Sequence, residues 1–331
     1  MKETNNYKPI RNTQEIAKNI IVLDGFSSSG KSIVGSISGW LERCEYWQIN
    51  DTYERLSILN FLGEISDDSA SALLKLEVDN HLYNLFIGRD VNFRKTDLSS
   101  PFYDGRESTY LERISKKDGD SVIDTIIKSN PIIPLHTHYI FGHSDILFKG
   151  FGDKLKLYIV MLRNPFYLID VWHRQNWVNI ICNKERDFHV CCNYNNHVIP
   201  WFVVDYANEY KKASDFEKAV LTVYNYYKKV FEMYDKLSDS RKTKTMIIVY
   251  EKLIVDPNFY IDTMCTSLKT NRRNDFDKIM ERLNLPRDLD DSSFLSYDIF
   301  IKIYKDKLSE KYLGLLQELE VNYRAFISRF I

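Results

Sequence analysis

Residues 19–43 of the chain read NIIVLDGFSSSGKSIVGSISGWLER. The apolar run at residues 20–23 is typical of a buried parallel strand. Residues 25–32 fit the pattern G-x-x-x-x-G-K-[ST], in which glycines let successive backbone N–H groups turn toward an anion. Apolar residues then recur at helical spacing, so a helix that begins at Ser32 directs its positive end at the loop. The stretch therefore predicts a phosphate-binding loop formed by Gly25, Ser27, Ser28, Ser29, Gly30, Lys31 and Ser32.

Further strands are predicted at four apolar runs, residues 45–49, 131–135, 155–162 and 245–249. The last three end in polar residues, which are Thr137-His138, Arg163-Asn164-Pro165 and Tyr250-Glu251. Helical periodicity is clearest at residues 216–237 and 309–330. Strands that alternate with helices predict an α/β protein with a P-loop NTPase-like three-layer fold, a mostly parallel central sheet and helical insertions. The carboxyl ends of its strands are expected to converge on one crevice.

Two segments are predicted to surround that crevice. Residues 52–130 are expected to form a helical insertion, in which a helix begins at the N-cap cluster Asp67-Asp68-Ser69 and stops at Gly88. The polar segment after this helix offers Arg89, Asn92 and Arg94 as residues for binding an acceptor. Residues 176–215 are rich in Asn, Cys, Trp and His and are predicted to form a lid. We expect residues 1–331 to form one domain.

Composition excludes several classes of protein. The chain of 331 residues is 44% apolar and 27% charged, which argues against disorder. A formal net charge of −1 argues against a nucleic-acid partner, and the sequence has no run of about 18 apolar residues, so no membrane span is expected. The five cysteines form no C-x-x-C pair, which favours free thiols, no metal site and a cytoplasmic location. The oligomeric state cannot be predicted.

The phosphate loop after the first strand and the polar ends of the three later strands resemble those of the P-loop sulfotransferase family, whose members use 3′-phosphoadenosine 5′-phosphosulfate (PAPS). In that family a loop like PKSGTT holds the 5′-phosphate, a Thr-His pair supplies a catalytic histidine, and a strand ending in R-[ND]-P begins the 3′-phosphate site. The resemblance spans about residues 20–268, and it is strongest at residues 250–257, YEKLIVDP. It implies a transferase that moves a sulfuryl group from PAPS to a hydroxyl or amine of a small molecule or glycan.

The resemblance also implies roles for single residues. His138 would be the general base and Lys31 a catalytic cation, while the loop, Arg163 and Tyr250 would bind PAPS or its product PAP. His136 is a second candidate, since it would share a face with His138 if the strand continued. The chain departs from the family at Ser28 and Val171, where lysine and serine are usual. What completes the 3′-phosphate site stays open, and the residues considered are His173, Arg174, Lys269, Arg272 and Arg273.

Two alternative functions remain. The Gly-Lys-Ser order is typical of P-loop kinases that use ATP with Mg²⁺, in which the lysine contacts phosphates and the serine contacts the metal. No acidic residue ends the strand at residues 155–162, where such enzymes carry one; Asp24 and Glu251 are the substitutes considered. The second alternative is a non-catalytic nucleotide-binding module, which the altered loop favours.

Overall fold

The computed structural model describes residues 7–289 and 294–330, and a parallel sheet lies at the centre of this part of the chain. The described strands are β1 (Asn19–Gly25), β2 (Gln48–Ile49), β3 (Ile132–His136), β4 (Leu155–Leu162), β5 (Cys191–Tyr194), β6 (His197–Pro200) and β7 (Thr245–Val249). Five of them form the sheet in the order β2-β3-β1-β4-β7, and all four pairings between them are parallel. Strands β5 and β6 form a separate antiparallel hairpin. The predicted fold class is confirmed. The predicted domain also includes residues 1–6, 290–293 and 331, which lie outside the described residues.

Helices flank the sheet and fill the insertion. In the described residues they are α1 (Lys31–Gly39), α2 (Thr52–Phe61), α3 (Asp67–Phe86), α4 (Pro101–Asp104), α5 (Glu107–Ile114), α6 (Asp120–Ser129), α7 (Asp145–Phe151), α8 (Pro165–Arg174), α9 (Trp177–Ile180), α10 (Ala207–Lys212), α11 (Asp215–Lys236), α12 (Asp239–Lys242), α13 (Tyr250–Val255), α14 (Pro257–Leu268), α15 (Asp277–Arg282), α16 (Tyr297–Tyr304) and α17 (Glu310–Ile327). The helices predicted at residues 216–237 and 309–330 correspond closely to α11 and α17.

The alternation of side chains along β1 explains why helices cover both faces of the sheet. Ile20 and Val22 pack into the core on one face, which includes residues of α3, α11 and α17. Ile21 and Leu23 pack into the core on the other face, with residues of α1, α13 and α14. All four side chains are fully buried, and each such burial contributes about 1.5–3 kcal/mol. Because both faces of the sheet are covered, the central strand is apolar at these four successive positions instead of alternating.

Two predicted boundaries are wrong. Strand β2 begins at Gln48 and not at residue 45. The N–H of Glu45 still donates to the carbonyl of Ile132 in β3 (2.9 Å), but that of Tyr46 donates to the hydroxyl of Tyr110 in α5 (2.6 Å), which interrupts the pairing. Helix α3 is capped by Ser66, whose Oγ accepts from the N–H of Ser69 (3.2 Å), and not by residues 67–69. Ser66 has the extended backbone that an N-cap needs, so Asp67 and Asp68 lie in the first helical turn. The helix ends before Gly88, as predicted.

The cysteines differ from the prediction. Cys182 and Cys191 form a disulfide across Cα atoms 6.0 Å apart, while Cys44, Cys192 and Cys265 are free. The prediction of free thiols is therefore wrong for one pair, because sequence spacing does not show which cysteines meet in space. This pair lies in the predicted lid, which contains α9, the β5–β6 hairpin and α10. In the described residues, no helix combines the length and the apolar character needed to cross a membrane.

Candidate functional site

The predicted phosphate loop joins the end of β1 to the start of α1. Gly30 has a φ of +97°, and a Cβ built at this position would lie 2.6 Å from Cδ2 of Tyr250. Only glycine therefore fits here, both for its backbone angle and for the close approach of the tyrosine ring. The loop and the first turn of α1 line a cavity of about 430 Å³, which we call the loop cavity. The N-terminus of a helix carries partial positive charge, so this wall of the cavity is suited to an anion.

Lys31 adds a full charge to the same wall. Its Nζ donates to the carbonyl oxygens of Gly25 (2.9 Å) and Phe26 (2.8 Å), which hold it across the beginning of the loop. An ammonium group has three donors, so one remains for a ligand in addition to these two bonds. Burial lowers the pKa of Lys31 to about 8, partly offset by the carboxylates of Asp24 and Glu54. Lys31 is therefore a buried cation whose charge is reduced in mildly alkaline solution.

Asp24 connects the end of β1 with the segment that follows β3. Its carboxylate accepts from Oγ1 of Thr137 (3.0 Å) and from the N–H of Phe141 (2.7 Å). Burial raises the pKa of Asp24 to about 6, while Lys31 and these hydrogen bonds lower it. Thr137 is fully buried and turned toward Asp24. The threonine of the Thr-His pair therefore positions the chain, and its neighbour His138 lines the cavity.

His138 is held by a carboxylate from the helical insertion. Oε2 of Glu54, in α2, accepts from the backbone N–H of His138 (2.8 Å) and lies 3.1 Å from its ring Nδ1. Burial raises the pKa of Glu54 to about 7. Burial and the charge of Lys31 together hold the pKa of His138 well below its usual range, so the imidazole is neutral near pH 7. An ionised Glu54 favours the tautomer with hydrogen on Nδ1, which leaves Nε2 as a proton acceptor.

His136 lies beside His138 in the same cavity, as its position two residues earlier predicts. The two rings are 4.9 Å apart, and the indole of Trp47 stacks on His136 at 4.9 Å. Both ring nitrogens of His136 are buried, and neither has a hydrogen-bond partner in the described structure. The same holds for Oγ of Ser29 in the loop. Buried polar atoms without partners are uncommon in proteins, so these atoms indicate a ligand or water at this position.

Arg163 lines the same cavity as the histidines. Its guanidinium lies 3.6 Å from the ring centroid of Tyr167 and 3.8 Å from that of Tyr250, and Nη1 donates to the carbonyl of Ser28 (2.8 Å). Asn164 caps α8 through its Oδ1, which accepts from the N–H of Tyr167 (2.8 Å). The structure therefore brings residues 27–32 of the loop, both histidines, Arg163 and Tyr250 around one cavity, whereas Gly25 does not line it. Arg163 also supports the loop, a role that its sequence motif does not indicate.

A second cavity of about 190 Å³ adjoins the first and shares Ser27, His138 and Trp177 with it. The rest of its lining comes from α2 with its N-cap and from residues 182–191, which the disulfide closes into a loop. These lining residues are Asp51, Glu54, Arg55, Ile58, Phe188, His189 and Val190. Sequence reasoning gave no role to Glu54, Trp177 or Phe188. For Glu54 no signal was available, because one glutamate in an amphipathic helix has no local mark of function.

Other predicted residues are not brought to these cavities. In the described structure, Arg89, Asn92 and Arg94 line neither of them. Asn92 donates to Oγ of Ser99 (2.9 Å), and Nε of Arg94 lies 3.2 Å from Asp97 in its own segment. The residues considered for a 3′-phosphate site also line neither cavity. Each contacts a residue elsewhere: His173 contacts Lys307, Arg174 contacts Asp170, Lys269 contacts Arg43, Arg272 contacts Asp262, and Arg273 contacts the carbonyl of Leu41.

Comparison with known proteins gives weak similarities. No protein-family profile and no curated protein matches the chain. Similar solved structures include a sulfotransferase domain from the curacin biosynthetic pathway (10% identity, TM-score 0.43, covering 91% of this chain and 97% of that chain). Others are sulfotransferase STF9 from Mycobacterium avium (12%, 0.40, 89% and 77%) and the sulfotransferase domain of the Synechococcus PCC 7002 olefin synthase (10%, 0.36, 95% and 98%). Similarities at this level do not assign the chain to a family.

Proposed function

We propose that the protein is a sulfotransferase that moves a sulfuryl group from PAPS to a hydroxyl or amine of a small molecule or glycan. The observation that supports this function best is the character of the loop cavity. Among the described residues, its lining contains Lys31, Arg163, two histidines and the start of α1, but no carboxylate. Such a lining favours an anionic donor and transfer without a metal ion, since Mg²⁺ is held in proteins mainly by carboxylate oxygens.

The residues fit a nucleotide with several anionic groups. The cavity of about 430 Å³ falls within the range of about 300–1,000 Å³ that is usual for small-molecule sites. The partnerless Oγ of Ser29 and the ring nitrogens of His136 offer buried polar atoms for such a ligand. Lys31, Ser32 and the loop would hold the 5′-phosphate, and Arg163 with Tyr250 would bind the remainder of the nucleotide. When bound, PAPS supplies an activated sulfuryl group.

The chain's own residues would then perform two tasks. Lys31 and the helix start stabilise negative charge at the loop, and they are preorganised for this by the bonds from Nζ to the loop carbonyls. His138 Nε2 accepts the proton that the acceptor molecule loses. The acceptor enters from the second cavity, because His138 lines both this cavity and the loop cavity. Glu54 acts as a positioning residue, since its carboxylate orients the imidazole and stabilises the positive charge that the ring acquires.

A P-loop kinase is the second candidate, and one observation favours it. Ser32 lies in the first turn of α1 directly after Lys31 and lines the cavity, where its hydroxyl is available to a magnesium ion. Asp24 does not provide the missing carboxylate, because its oxygens bind Thr137 and the backbone of residues 140–141. Oε1 of Glu251 accepts from the N–H of Asn164 (2.8 Å), and although its Oε2 is buried without a hydrogen-bond partner, Glu251 does not line the cavity. These contacts favour the sulfotransferase.

The test is a calorimetric titration with PAP and then with ADP, each with and without Mg²⁺. We expect tight binding of PAP without metal, weakened about tenfold or more in Arg163→Lys, because a lysine ammonium cannot stack between two rings as a planar guanidinium does. Binding of ADP that depends on Mg²⁺, without binding of PAP, would replace this proposal by the kinase. Binding of PAP without transfer to any acceptor in a broad screen would indicate a non-catalytic module.

Turnover tests the histidine. With an acceptor found by screening, His138→Ala should lose turnover and keep the affinity for PAP. His197→Ala is the matched control, because His197 lies exposed in the β5–β6 hairpin and lines neither cavity. Retained turnover in His138→Ala would exclude His138 as the base.

A further inference from the structure

A cluster of metal-binding side chains lies in the segment that closes one side of the second cavity. Sγ of Cys182, a carboxylate oxygen of Asp187 and Sγ of Cys191 all lie within 4.8 Å of one another. Two sulfurs and one carboxylate oxygen are a donor set that zinc binds readily. No other group of three or more such side chains with this spacing occurs in the described residues.

Asp187 is fixed in place by its own hydrogen bonds. One carboxylate oxygen accepts from the backbone N–H of Cys182 (2.6 Å), and the other lies 2.5 Å from Nδ1 of His189. The side chain of Asp187 is only 4% exposed. Metal-binding carboxylates are commonly oriented by such outer hydrogen bonds, which hold the ligand before the metal arrives. The bond network of Asp187 therefore gives the cluster a preformed third ligand.

The two sulfurs form a disulfide in this structure, and a disulfide sulfur is not the thiolate that zinc requires. We propose that, when this disulfide is reduced, Cys182, Asp187 and Cys191 bind a zinc ion, with water as the fourth ligand. A phosphine can supply the reduction: the S–S bond accepts two electrons and two protons from the phosphine and water, and the phosphine becomes its oxide. Zinc binding then releases the two thiol protons. Two thiolates on tetrahedral zinc are about 3.8 Å apart, so the sulfurs move apart to that distance after the bond is reduced.

The site has a structural consequence for the neighbouring cavity. The segment between the two cysteines carries Phe188, His189 and Val190, which line the second cavity. Either the disulfide or the zinc ion joins the two ends of this segment. Under oxidising conditions the disulfide therefore holds this wall of the second cavity in place without a metal ion. Under reducing conditions only bound zinc would hold it in place. This inference does not depend on the proposed function, because it concerns a separate group of side chains.

The experiment uses the full-length protein, reduced with a phosphine and desalted without oxygen. Cobalt(II) is titrated first, because its thiolate charge-transfer and d–d absorption bands report the ligands, and zinc is then added to displace it. We expect one equivalent of cobalt with thiolate bands, which zinc removes. Cys182→Ser and Cys191→Ser should lose the bands, and Asp187→Asn should weaken cobalt binding about tenfold or more.

Cys192→Ser is the matched control and should bind cobalt as the wild type does. Cys192 is adjacent to Cys191 in β5, and neighbouring residues of a strand point to opposite faces. Absence of cobalt bands in the reduced wild type, bands that survive in Cys182→Ser, or equal bands in the oxidised protein would each overturn the proposal. If a serine variant fails to fold, limited proteolysis of the reduced wild type decides: zinc should protect residues 183–190 from cleavage, and unchanged cleavage would refute the site.

Discussion

Replacing Glu54 by glutamine removes the negative charge beside His138 and preserves the shape of the side chain. In the wild type, Oε2 accepts from the backbone N–H of His138 at 2.8 Å and lies 3.1 Å from Nδ1. A glutamine oxygen can accept both bonds, but a neutral hydrogen bond contributes about 0.5–1.5 kcal/mol, whereas one to a charged group contributes about 1.5–3 kcal/mol. A loss of about 1.4 kcal/mol in the transition state lowers the rate about tenfold. We therefore expect kcat/KM of Glu54→Gln to fall about tenfold.

Glu54→Ala extends the series, because alanine removes both hydrogen bonds. The loss of two charge-assisted bonds of about 1.5 kcal/mol each corresponds to a fall in kcat/KM of about a hundredfold. At about pH 6, where Lys31 stays protonated, the affinity for PAP should be unchanged in both variants, since Glu54 does not line the loop cavity. The predicted order of activity is therefore wild type, glutamine and then alanine, with equal binding of PAP.

The assay measures kcat/KM across pH, together with calorimetric titration of PAP. Glu64→Gln is the control, because this exposed glutamate lies just beyond the same helix and lines neither cavity. Equal kcat/KM and equal pH profiles for wild type and Glu54→Gln would refute the role of the carboxylate. Equal losses in the glutamine and alanine variants would show that charge alone matters and that the hydrogen bonds do not.

Two further predictions concern pH and the loop. Because Glu54 must be ionised and Lys31 protonated, kcat/KM should fall below about pH 7 and above about pH 8. The fall at acid pH should disappear in Glu54→Gln, and its persistence in this variant would contradict the role of Glu54. Gly30→Ala should lower the free energy of unfolding in urea by at least about 1 kcal/mol more than Gly119→Ala does. Both glycines precede a helix and have φ near +100°, but only a Cβ at Gly30 would contact Tyr250. Equal urea midpoints for the two variants would refute this steric argument.

Local sequence patterns predicted strands β1, β3, β4 and β7 close to their observed positions, whereas β2 was predicted to begin too early and β5 and β6 were not predicted. The apolar run at residues 20–23 lies in β1, as predicted, and the glycines and Lys31 of the loop follow it directly along the chain. The strand at residues 155–162 was predicted with its observed bounds, because an apolar run and the following proline define both ends. The carboxyl ends of parallel strands meet at one edge, so the meeting of Lys31, His138 and Arg163 followed from the predicted sheet.

Only the tertiary structure revealed the partners of these residues. Glu54 reaches His138 across 84 positions of sequence, and no local pattern marks such a pair. The contact of Arg163 with Tyr250 likewise depends on how distant segments pack. The disulfide joins cysteines only nine positions apart, and their spacing alone did not indicate the pairing. The sequence by itself determined the approximate positions of the main strands and of the loop after β1, because apolar runs and glycines are local features of the chain. The tertiary structure decided which carboxylate faces the histidine, because that contact depends on the packing of a helix against the end of a strand.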